Sequence, residues 1–301
     1  MRKSLVAGLA TATLAVTLTA PATPASASAF CDRTTPNTSL FFYKKSSGEA
    51  GTGTLSAGRW RYRGALSLPA GYTHAAASRD SLLLYDANTG EGESGTFTGG
   101  RYRRVQTYDN FSTGWTQLEA SGDSVLAYNS ATGHGGTGTL KGGRYQQVRT
   151  YDDFSTGWAS MAASCDTLVA TTARKGSTEF PESNVGFGTL QGGVYTNTGN
   201  RDGDVFLGTL VATRDSVMGL AKTSSTQLRY QVTTASDGDV GQFEDVGTSG
   251  VWNTVGRTAD SLFFYKTDGT AWISTLTNGN YRNVGPLSDV SSGWSIIEGG
   301  V

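Results

Sequence analysis

The fold of this chain is decided by one stretch, residues 107–148, which reads TYDNFSTGWTQLEASGDSVLAYNSATGHGGTGTLKGGRYQQV. A near copy, TYDDFSTGWASMAASCDTLVA, follows at residues 150–170. With these two as a template, weaker copies can be found along the chain. The residue before the first strand of each copy recurs at intervals of 42 to 49 residues, as Tyr72, Trp115, Trp158, Leu207, Trp252 and Trp294. Periods of this length are typical of solenoids, propellers and arrays.

Each copy carries four short strand signals. The first strand follows the tryptophan, as at 116–120, and the second is an apolar run such as 125–128. The third is a Gly-Thr-Leu strand, as at 138–140, and the fourth begins at an aromatic residue after glycine, as at Tyr145. Gly, Asn and Asp separate these strands, as hairpin loops require, and no stretch shows a helical period. Four antiparallel strands repeated about every 44 residues predict the blades of a β-propeller.

The two ends of the chain indicate how the ring closes. The first copy starts, after Cys31, at its second strand, and the last copy ends, after Trp294, with a first strand only. We therefore expect residues 295–298 to pair with residues 40–43 and complete the first blade. A solenoid would leave two exposed edges. The sequence predicts an all-β, six-bladed β-propeller of four-stranded antiparallel blades, closed by the C-terminal strand.

The N-terminus predicts export. Arg2 and Lys3 precede an apolar run, and Ala27-Ser28-Ala29 resembles a cleavage site, so residues 1–29 read as a secretory signal peptide. Residues 30–301 then form a single propeller domain, secreted and extracellular. In that oxidising setting the two cysteines, Cys31 and Cys165, are expected to form a disulfide across the channel mouth.

Composition narrows the function. The formal net charge is −1, so a basic surface for nucleic acid is not expected, and no segment of the mature chain is apolar enough to insert into a membrane. The two histidines sit in unlike repeat positions, so we expect neither a metal site nor a cofactor. Two turns, 202–204 and 237–239, have an Asp-Gly-Asp pattern that could hold calcium, but neither continues into a full ligand loop.

The loops that open the intact copies are candidate ligand sites. Aromatic rings beside carboxylates and amides suit a sugar, since the ring packs on C–H groups and the polar groups bond hydroxyls. The alternative is that the tryptophans wedge adjacent blades apart. The predicted ligand-binding residues are Asp109, Asn110, Trp115, Asp152, Asp153, Trp158 and Trp294.

Two further patterns have a functional and a structural interpretation. Arginines crowd the fourth strands of three copies, at Arg59, Arg61, Arg63, Arg101, Arg103, Arg104, Arg144 and Arg149. They form either a basic patch or the charges that stop an outer edge strand from pairing, and the second interpretation is favoured. An Asp-Ser or Asp-Thr pair recurs at Asp80, Asp123, Asp166, Asp215 and Asp260. These residues form either a ring of carboxylates around the channel or turns in which Asp bonds its own backbone two residues on, and the second interpretation is favoured.

Catalysis finds little support in the sequence. There is no serine nucleophile motif, no paired histidine and no cysteine free for nucleophilic work. Acidic pairs occur only in turn-rich loops, and a glycosidase needs two carboxylates facing each other across a cleft. The chain is therefore expected to have no catalytic residues and not to be an enzyme.

The copies resemble secreted bacterial β-propeller repeats of the tachylectin type. The Gly-Trp openings, the Leu-Phe-Phe-Tyr strands at 40–43 and 262–265, and the Gly-Gly-x-Tyr starts at 99–102 and 142–145 carry the resemblance. It implies a lectin-like propeller that binds N-acetylated sugars, although tachylectin-type lectins have five blades. A looser resemblance to lectin-type subunits of secreted actinobacterial toxin particles implies a scaffold that binds another secreted protein.

The expected function is therefore that of a lectin for surface glycans or cell-surface polysaccharide. The alternative is a protein-interaction scaffold or assembly subunit, and the minor alternative is a glycan-active enzyme.

Overall fold

Six antiparallel sheets form a closed ring of blades. The structure, a computed structural model, describes residue 31 and residues 36–172, 184–201 and 208–301. The expected six-bladed, all-β propeller is confirmed. None of its described elements is a helix long and apolar enough to cross a membrane. The predicted signal peptide and the 202–204 turn lie outside the described residues.

Each blade runs from an inner strand at the central channel to an outer strand at the rim. From inner to outer strand, blade A is β25 (Ile296–Gly299), β1 (Ser39–Tyr43), β2 (Glu49–Ser56) and β3 (Arg59–Ser67). Blade B is β4 (His74–Ala77), β5 (Ser81–Tyr85), β6 (Gly92–Thr98) and β7 (Arg101–Tyr108), and blade C is β8 (Gln117–Ala120), β9 (Ser124–Tyr128), β10 (Gly135–Lys141) and β11 (Arg144–Tyr151). Blade D is β12 (Trp158–Ala163), β13 (Thr167–Thr172), β14 (Val185–Gln191) and β15 (Val194–Arg201).

Blade E is β16 (Thr209–Ala212), β17 (Ser216–Lys222), β18 (Gln227–Ser236) and β20 (Glu244–Gly250), and it has a short extra strand, β19 (Asp239–Val240). Blade F is β21 (Thr254–Arg257), β22 (Ser261–Tyr265), β23 (Ala271–Thr277) and β24 (Asn280–Leu287). The extra strand β19 pairs with the end of β18, whereas β20 takes the outer position.

The predicted ring closure is confirmed. Strand β25 pairs antiparallel with β1, with Ile297 opposite Phe42 and Glu298 opposite Phe41. The C-terminal strand thus supplies the inner strand of the blade that begins the chain.

The apolar core lies between the blades. The second strand of each blade is buried on both faces, because each face packs against a neighbouring blade; β1 (SLFFY) and β22 (SLFFY) are buried at every position. Phe42 of blade A, for example, packs edge-on against Phe263 of blade F at 5.2 Å between ring centroids. Strands buried on both faces read as continuous apolar runs, which explains the pattern in the sequence.

The recurring Asp-Ser pair joins each blade to the next. Asp80 of blade B accepts hydrogen bonds from the backbone N–H of Gly142 in blade C, and the Ser81 hydroxyl accepts one from Gly143 N–H. The same pattern recurs from blade C to D, D to E, E to F and F to A. The expectation that Asp bonds its own backbone is therefore wrong, because the carboxylate caps a neighbouring turn instead. We call these contacts the clasps and the face that carries them the clasp face.

A ring of turn-to-turn hydrogen bonds surrounds the channel on the clasp face. Backbone N–H groups donate to the carbonyl of the next blade at 2.7 to 3.1 Å, from blade B round to blade A. Asn37 completes the circle, since its side-chain amide donates to Ser78 O of blade B at 3.0 Å. The predicted Cys31–Cys165 disulfide is present on this face, with 5.7 Å between the Cα atoms. Residues 32–35, which were expected to cross the channel mouth, lie outside the described residues.

Candidate functional site

A charged cluster, which we call the channel floor, joins inner strands across the ring near the clasp face. It consists of Arg257 from β21, Glu119 from β8 and Glu298 from β25, which are side chains of blades F, C and A. The Arg257 guanidinium lies 3.4 Å from Glu119 Oε2 and 3.2 Å from Glu298 Oε1. Residues far apart in sequence therefore meet because the ring brings their inner strands together.

The inner edges of the blades explain part of this arrangement. An inner strand has no partner on its channel side, so its backbone groups need other hydrogen-bond partners. Arg257 donates to the carbonyls of Ala120 and Ala163. The Glu119 and Glu298 carboxyls in turn accept from the N–H groups of Ala163 and Ala77. The channel floor thus ties five of the six blades.

Charge at the channel floor is unbalanced. The side chain of Arg257 is only 4% exposed, while Glu119 and Glu298 keep 22% and 19% of their side-chain surface. Burial raises the pKa of Glu119 to about 8; Arg257 opposes this shift and the nearby Glu298 adds to it. Burial also raises the pKa of Glu298. One cation faces two carboxyls, so the ionised form of both carboxyls at once is disfavoured.

Such a pair can act as a general acid and a general base. Two carboxyls in one site, one protonated and one ionised, divide these roles between them. The remaining exposure of both carboxyls allows contact with a small molecule in the channel.

A collar of polar side chains stands at the opposite ends of the inner strands. His74 Nε2 donates to Thr116 O, 3.3 Å away, and Gln117 donates to Ala159 O at 2.8 Å. The Ser160 hydroxyl accepts from Leu210 N–H at 2.8 Å. Each side chain bonds the free edge of the next blade, and burial lowers the pKa of His74. The mouth of the channel is therefore lined with hydrogen-bonding groups.

The predicted ligand loops lie on the other face, which we call the loop face. Trp115, Trp158 and Trp294 each line a separate cleft between two blades, with cavity volumes of about 330, 400 and 420 Å³ respectively. Asp152 lines the Trp115 cleft and Asp153 the Trp158 cleft, so consecutive residues of one loop serve two different clefts. Asp109 and Asn110 are exposed but line none of these three clefts.

The same loops hold the blades apart. Phe111 packs between Tyr108 and Tyr145, at 4.7 and 5.3 Å between ring centroids, and Phe154 packs in the same way between Tyr151 and Tyr195. The Tyr85 hydroxyl donates to Ser112 O at 2.7 Å, which anchors the first loop. The phenylalanines are thus structural wedges. Ligand binding by the seven predicted residues stays a prediction.

One cleft carries a residue pair that sequence reasoning did not single out. His134 Nδ1 lies 2.8 Å from Asp152 Oδ1, and both side chains are exposed at the mouth of the Trp115 cleft. Among the described residues there is no group of three His, Cys, Asp or Glu side chains suited to a metal ion. Of the 237–239 segment, Asp237 and Gly238 form the turn between β18 and β19, and Asp239 begins β19.

Sequence reasoning also missed the channel floor, although the repeats contain a signal for it. Arg257 stands where four of the other blades have alanine, at Ala77, Ala120, Ala163 and Ala212, and where blade A has Gly299. Glu119 and Glu298 share a position that is Ala76 in blade B and Ala162 in blade D. A charged residue at a repeat position where most blades have a small residue is therefore a signal for a site formed by only some of the blades.

Comparison with known proteins places the fold but no family. No family model matches the chain, and no curated protein matches it. Among solved structures, a candidate 6-phosphogluconolactonase from Bacteroides uniformis aligns with a TM-score of 0.53 and 11% identity, covering 87% of this chain and 98% of its own. A second candidate 6-phosphogluconolactonase, from Bacteroides fragilis, aligns with a TM-score of 0.52 and 8% identity, covering 88% and 98%.

A periplasmic gluconolactonase from Pseudomonas aeruginosa aligns with a TM-score of 0.49 and 12% identity, covering 87% of this chain and 99% of its own. At these identities the likeness extends to the propeller fold alone.

These neighbours correct two expectations. The chain was expected to be a lectin and not an enzyme, with no catalytic residues, whereas the two neighbours with TM-scores above 0.5 carry the names of sugar-lactone enzymes. The lectin expectation and the expectation of no enzymatic activity are both wrong on this finding. The physical reason lies in the channel floor, whose acidic pair is formed by residues 179 positions apart. The resemblance to tachylectin-type repeats is confirmed only as far as the propeller fold.

Proposed function

We propose that this chain is an enzyme that hydrolyses sugar lactones at the channel floor. The observation that carries the proposal is the convergence of Glu119 and Glu298, two mostly buried carboxyls, on Arg257. The substrate class is taken by fold analogy from two neighbours with TM-scores above 0.5, both named as candidate 6-phosphogluconolactonases.

The chemistry assigns one role to each carboxyl. Opening a lactone needs a water to attack the carbonyl carbon and a proton to reach the ring oxygen as the C–O bond breaks. Glu298, paired with the arginine through its Nε, takes the proton from water. Glu119, whose pKa is raised to about 8, is protonated near pH 7 and gives its proton to the leaving oxygen. The product is an open-chain hydroxy acid, and no cofactor is required.

Arg257 is a positioning residue in this scheme. Its guanidinium is nearly fully buried and its donors are engaged by two carbonyls and the two carboxyls. It holds the carboxyls in place and limits how far their pKa values rise.

The substrate would enter from the loop face. The clasp face is drawn together by its ring of turn-to-turn hydrogen bonds, and the C-terminal Val301 is buried there. The collar of His74, Gln117 and Ser160 at the opposite mouth offers groups that can bond sugar hydroxyls. The disulfide and the N-terminal export pattern support action outside the cytoplasm.

The test is lactone hydrolysis by the mature protein and two variants. Glucono-δ-lactone and 6-phosphogluconolactone are followed by release of acid, above their spontaneous rate. Glu119→Gln and Glu298→Gln should each lower kcat by about 10²- to 10⁴-fold, the usual contribution of general acid–base catalysis. The matched control is Glu91→Gln, an exposed glutamate in the turn between β5 and β6, which should leave kcat unchanged.

The pH profile separates catalysis from structure. Loss of the acid should remove the alkaline limb of the wild-type rate profile in Glu119→Gln, while thermal melting shows that the variant is folded. A wild-type protein that leaves both lactones at their spontaneous rate, or glutamine variants as active as wild type, would overturn the proposal.

A further inference from the structure

The outer strands of three neighbouring blades carry a row of exposed arginines that the proposed enzyme does not use. All eight predicted side chains are exposed: Arg59, Arg61 and Arg63 on β3, Arg101, Arg103 and Arg104 on β7, and Arg144 and Arg149 on β11. No acidic residue occurs on these three strands. We call this surface the basic rim.

Protection of sheet edges does not account for the basic rim. Blades D, E and F present outer edges of the same kind, yet β15 and β24 carry one arginine each, Arg201 and Arg282. Strand β20 begins with Glu244 and Asp245. On blades D, E and F one or two charges of either sign occupy the outer strand, so edge protection does not require two or three arginines on each strand. The concentration of one sign on three adjacent blades therefore has another cause.

Among the residues that the structure describes, most of these arginines have no acidic partner. Arg104 lies 3.6 Å from Glu93, Arg144 donates to Gln106, and Arg149 stacks on Tyr151. Within the described chain, no ion pair is formed by the arginines Arg59, Arg61, Arg63, Arg101 and Arg103. Guanidinium groups left in water on one side of an otherwise slightly acidic chain make a local positive field.

We propose that the basic rim binds a linear polymer with repeated phosphate groups. Arg59 and Arg61 lie two residues apart on one strand, which spaces them by about 7 Å, and Arg101 and Arg103 repeat this spacing on the next blade. A guanidinium group can donate two parallel hydrogen bonds to the oxygens of one phosphate. This bidentate contact fixes the orientation of the phosphate, which the point charge of a lysine does not. A single small anion would contact one arginine. A chain of phosphates contacts arginines on several outer strands of a rigid ring at once, so its affinity rises by avidity.

The experiment measures binding of long-chain inorganic polyphosphate to the mature protein over a range of salt concentrations. Log affinity should fall linearly with log salt, because phosphate contacts release counterions. The double variant Arg61→Gln/Arg103→Gln should weaken binding about ten-fold or more at low salt and flatten the salt slope by about two. Lactone hydrolysis should not change in this variant, which keeps the result separate from the proposed enzyme.

The matched control is Arg282→Gln. Arg282 stands at the same repeat position of blade F as Arg61 in blade A, loses the same charge, and has no other arginine on its strand. It should change affinity less than two-fold, whereas Arg61→Gln alone should change it more.

Three outcomes would overturn the proposal. Binding that ignores salt would show that the contact is not with phosphates. Equal losses in Arg61→Gln and Arg282→Gln would show that net charge matters and the basic rim does not. Polyglutamate bound as tightly as polyphosphate would show that the surface fits an acidic protein instead.

Discussion

The clasps and the channel floor both connect blades of the ring, but only the clasps repeat from blade to blade. The clasps repeat: five Asp-Ser or Asp-Thr pairs each cap a turn of the next blade with nearly the same geometry, as Asp80 and Ser81 do for Gly142 and Gly143. The channel floor does not repeat, because Arg257 is the only guanidinium at a repeat position that is otherwise alanine or glycine. Residues that recur meet a need of every blade, whereas a residue that differs from the others at its repeat position meets a need of the ring as a whole.

The largest effect is expected when the ring is opened by a deletion. Deletion of residues 294–301 removes β25 and with it Glu298, so blade A loses its inner strand and Arg257 loses one carboxyl. Every blade depends on its two neighbours, so we expect loss of cooperative unfolding, measured by circular dichroism and urea titration. A control truncation that removes only the C-terminal Val301 should keep a cooperative transition. Melting of the 294–301 deletion like the intact protein would show that β25 is not what closes the ring.

The next largest effect is expected at Arg257. Arg257→Ala leaves two buried carboxyls without their cation and two carbonyls without a donor. Breaking a buried ion pair by removing one partner costs about 3 to 5 kcal/mol of unfolding free energy. Arg282→Ala, at an exposed site, should cost about 0.5 kcal/mol or less. Equal urea midpoints for the two variants would mean that the channel floor contributes little to stability.

A smaller effect should depend on pH. The pKa of Glu119 is about 8 in the folded protein against an ordinary value of 4.5, so between these values the folded state holds more protons than the unfolded state. Stability should therefore fall as pH rises from about 4.5 to about 8 and level off above. Glu119→Gln mimics the protonated form and should flatten this part of the profile. Parallel profiles of urea midpoint against pH for wild type and variant would contradict the raised pKa.

What could be predicted from the sequence follows the same division. The strands, the six blades and the pairing of 40–43 with the C-terminal strand follow from residues that recur, since a repeat has to satisfy the same contacts each time. Glu119 of blade C and Glu298 of blade A meet at Arg257 only because the ring closes. No local pattern in the sequence shows that these two side chains lie close together. The role of Asp80 was misread for a related reason, because its partner Gly142 lies 62 residues away.

The smallest effect is expected at the clasps, the contacts that repeat from blade to blade. The Ser81 hydroxyl is fully buried, donates to Asp80 and accepts from Gly143 N–H, and Ser216 makes the same contacts with Asp215 and Gly279 on the far side of the ring. Replacing either serine by alanine leaves a buried N–H without an acceptor, at about 1 to 2 kcal/mol of unfolding free energy.

If the clasps are equivalent, Ser81→Ala and Ser216→Ala should cost the same, and the double variant should cost their sum, since distant sites add. Ser47→Ala, at an exposed loop residue, is the control and should lie within about 0.5 kcal/mol of wild type. A cost confined to one of the two buried serines would mean that the repeated sequence hides unequal contacts. In that case a residue that recurs could not be taken as evidence of a need common to all blades.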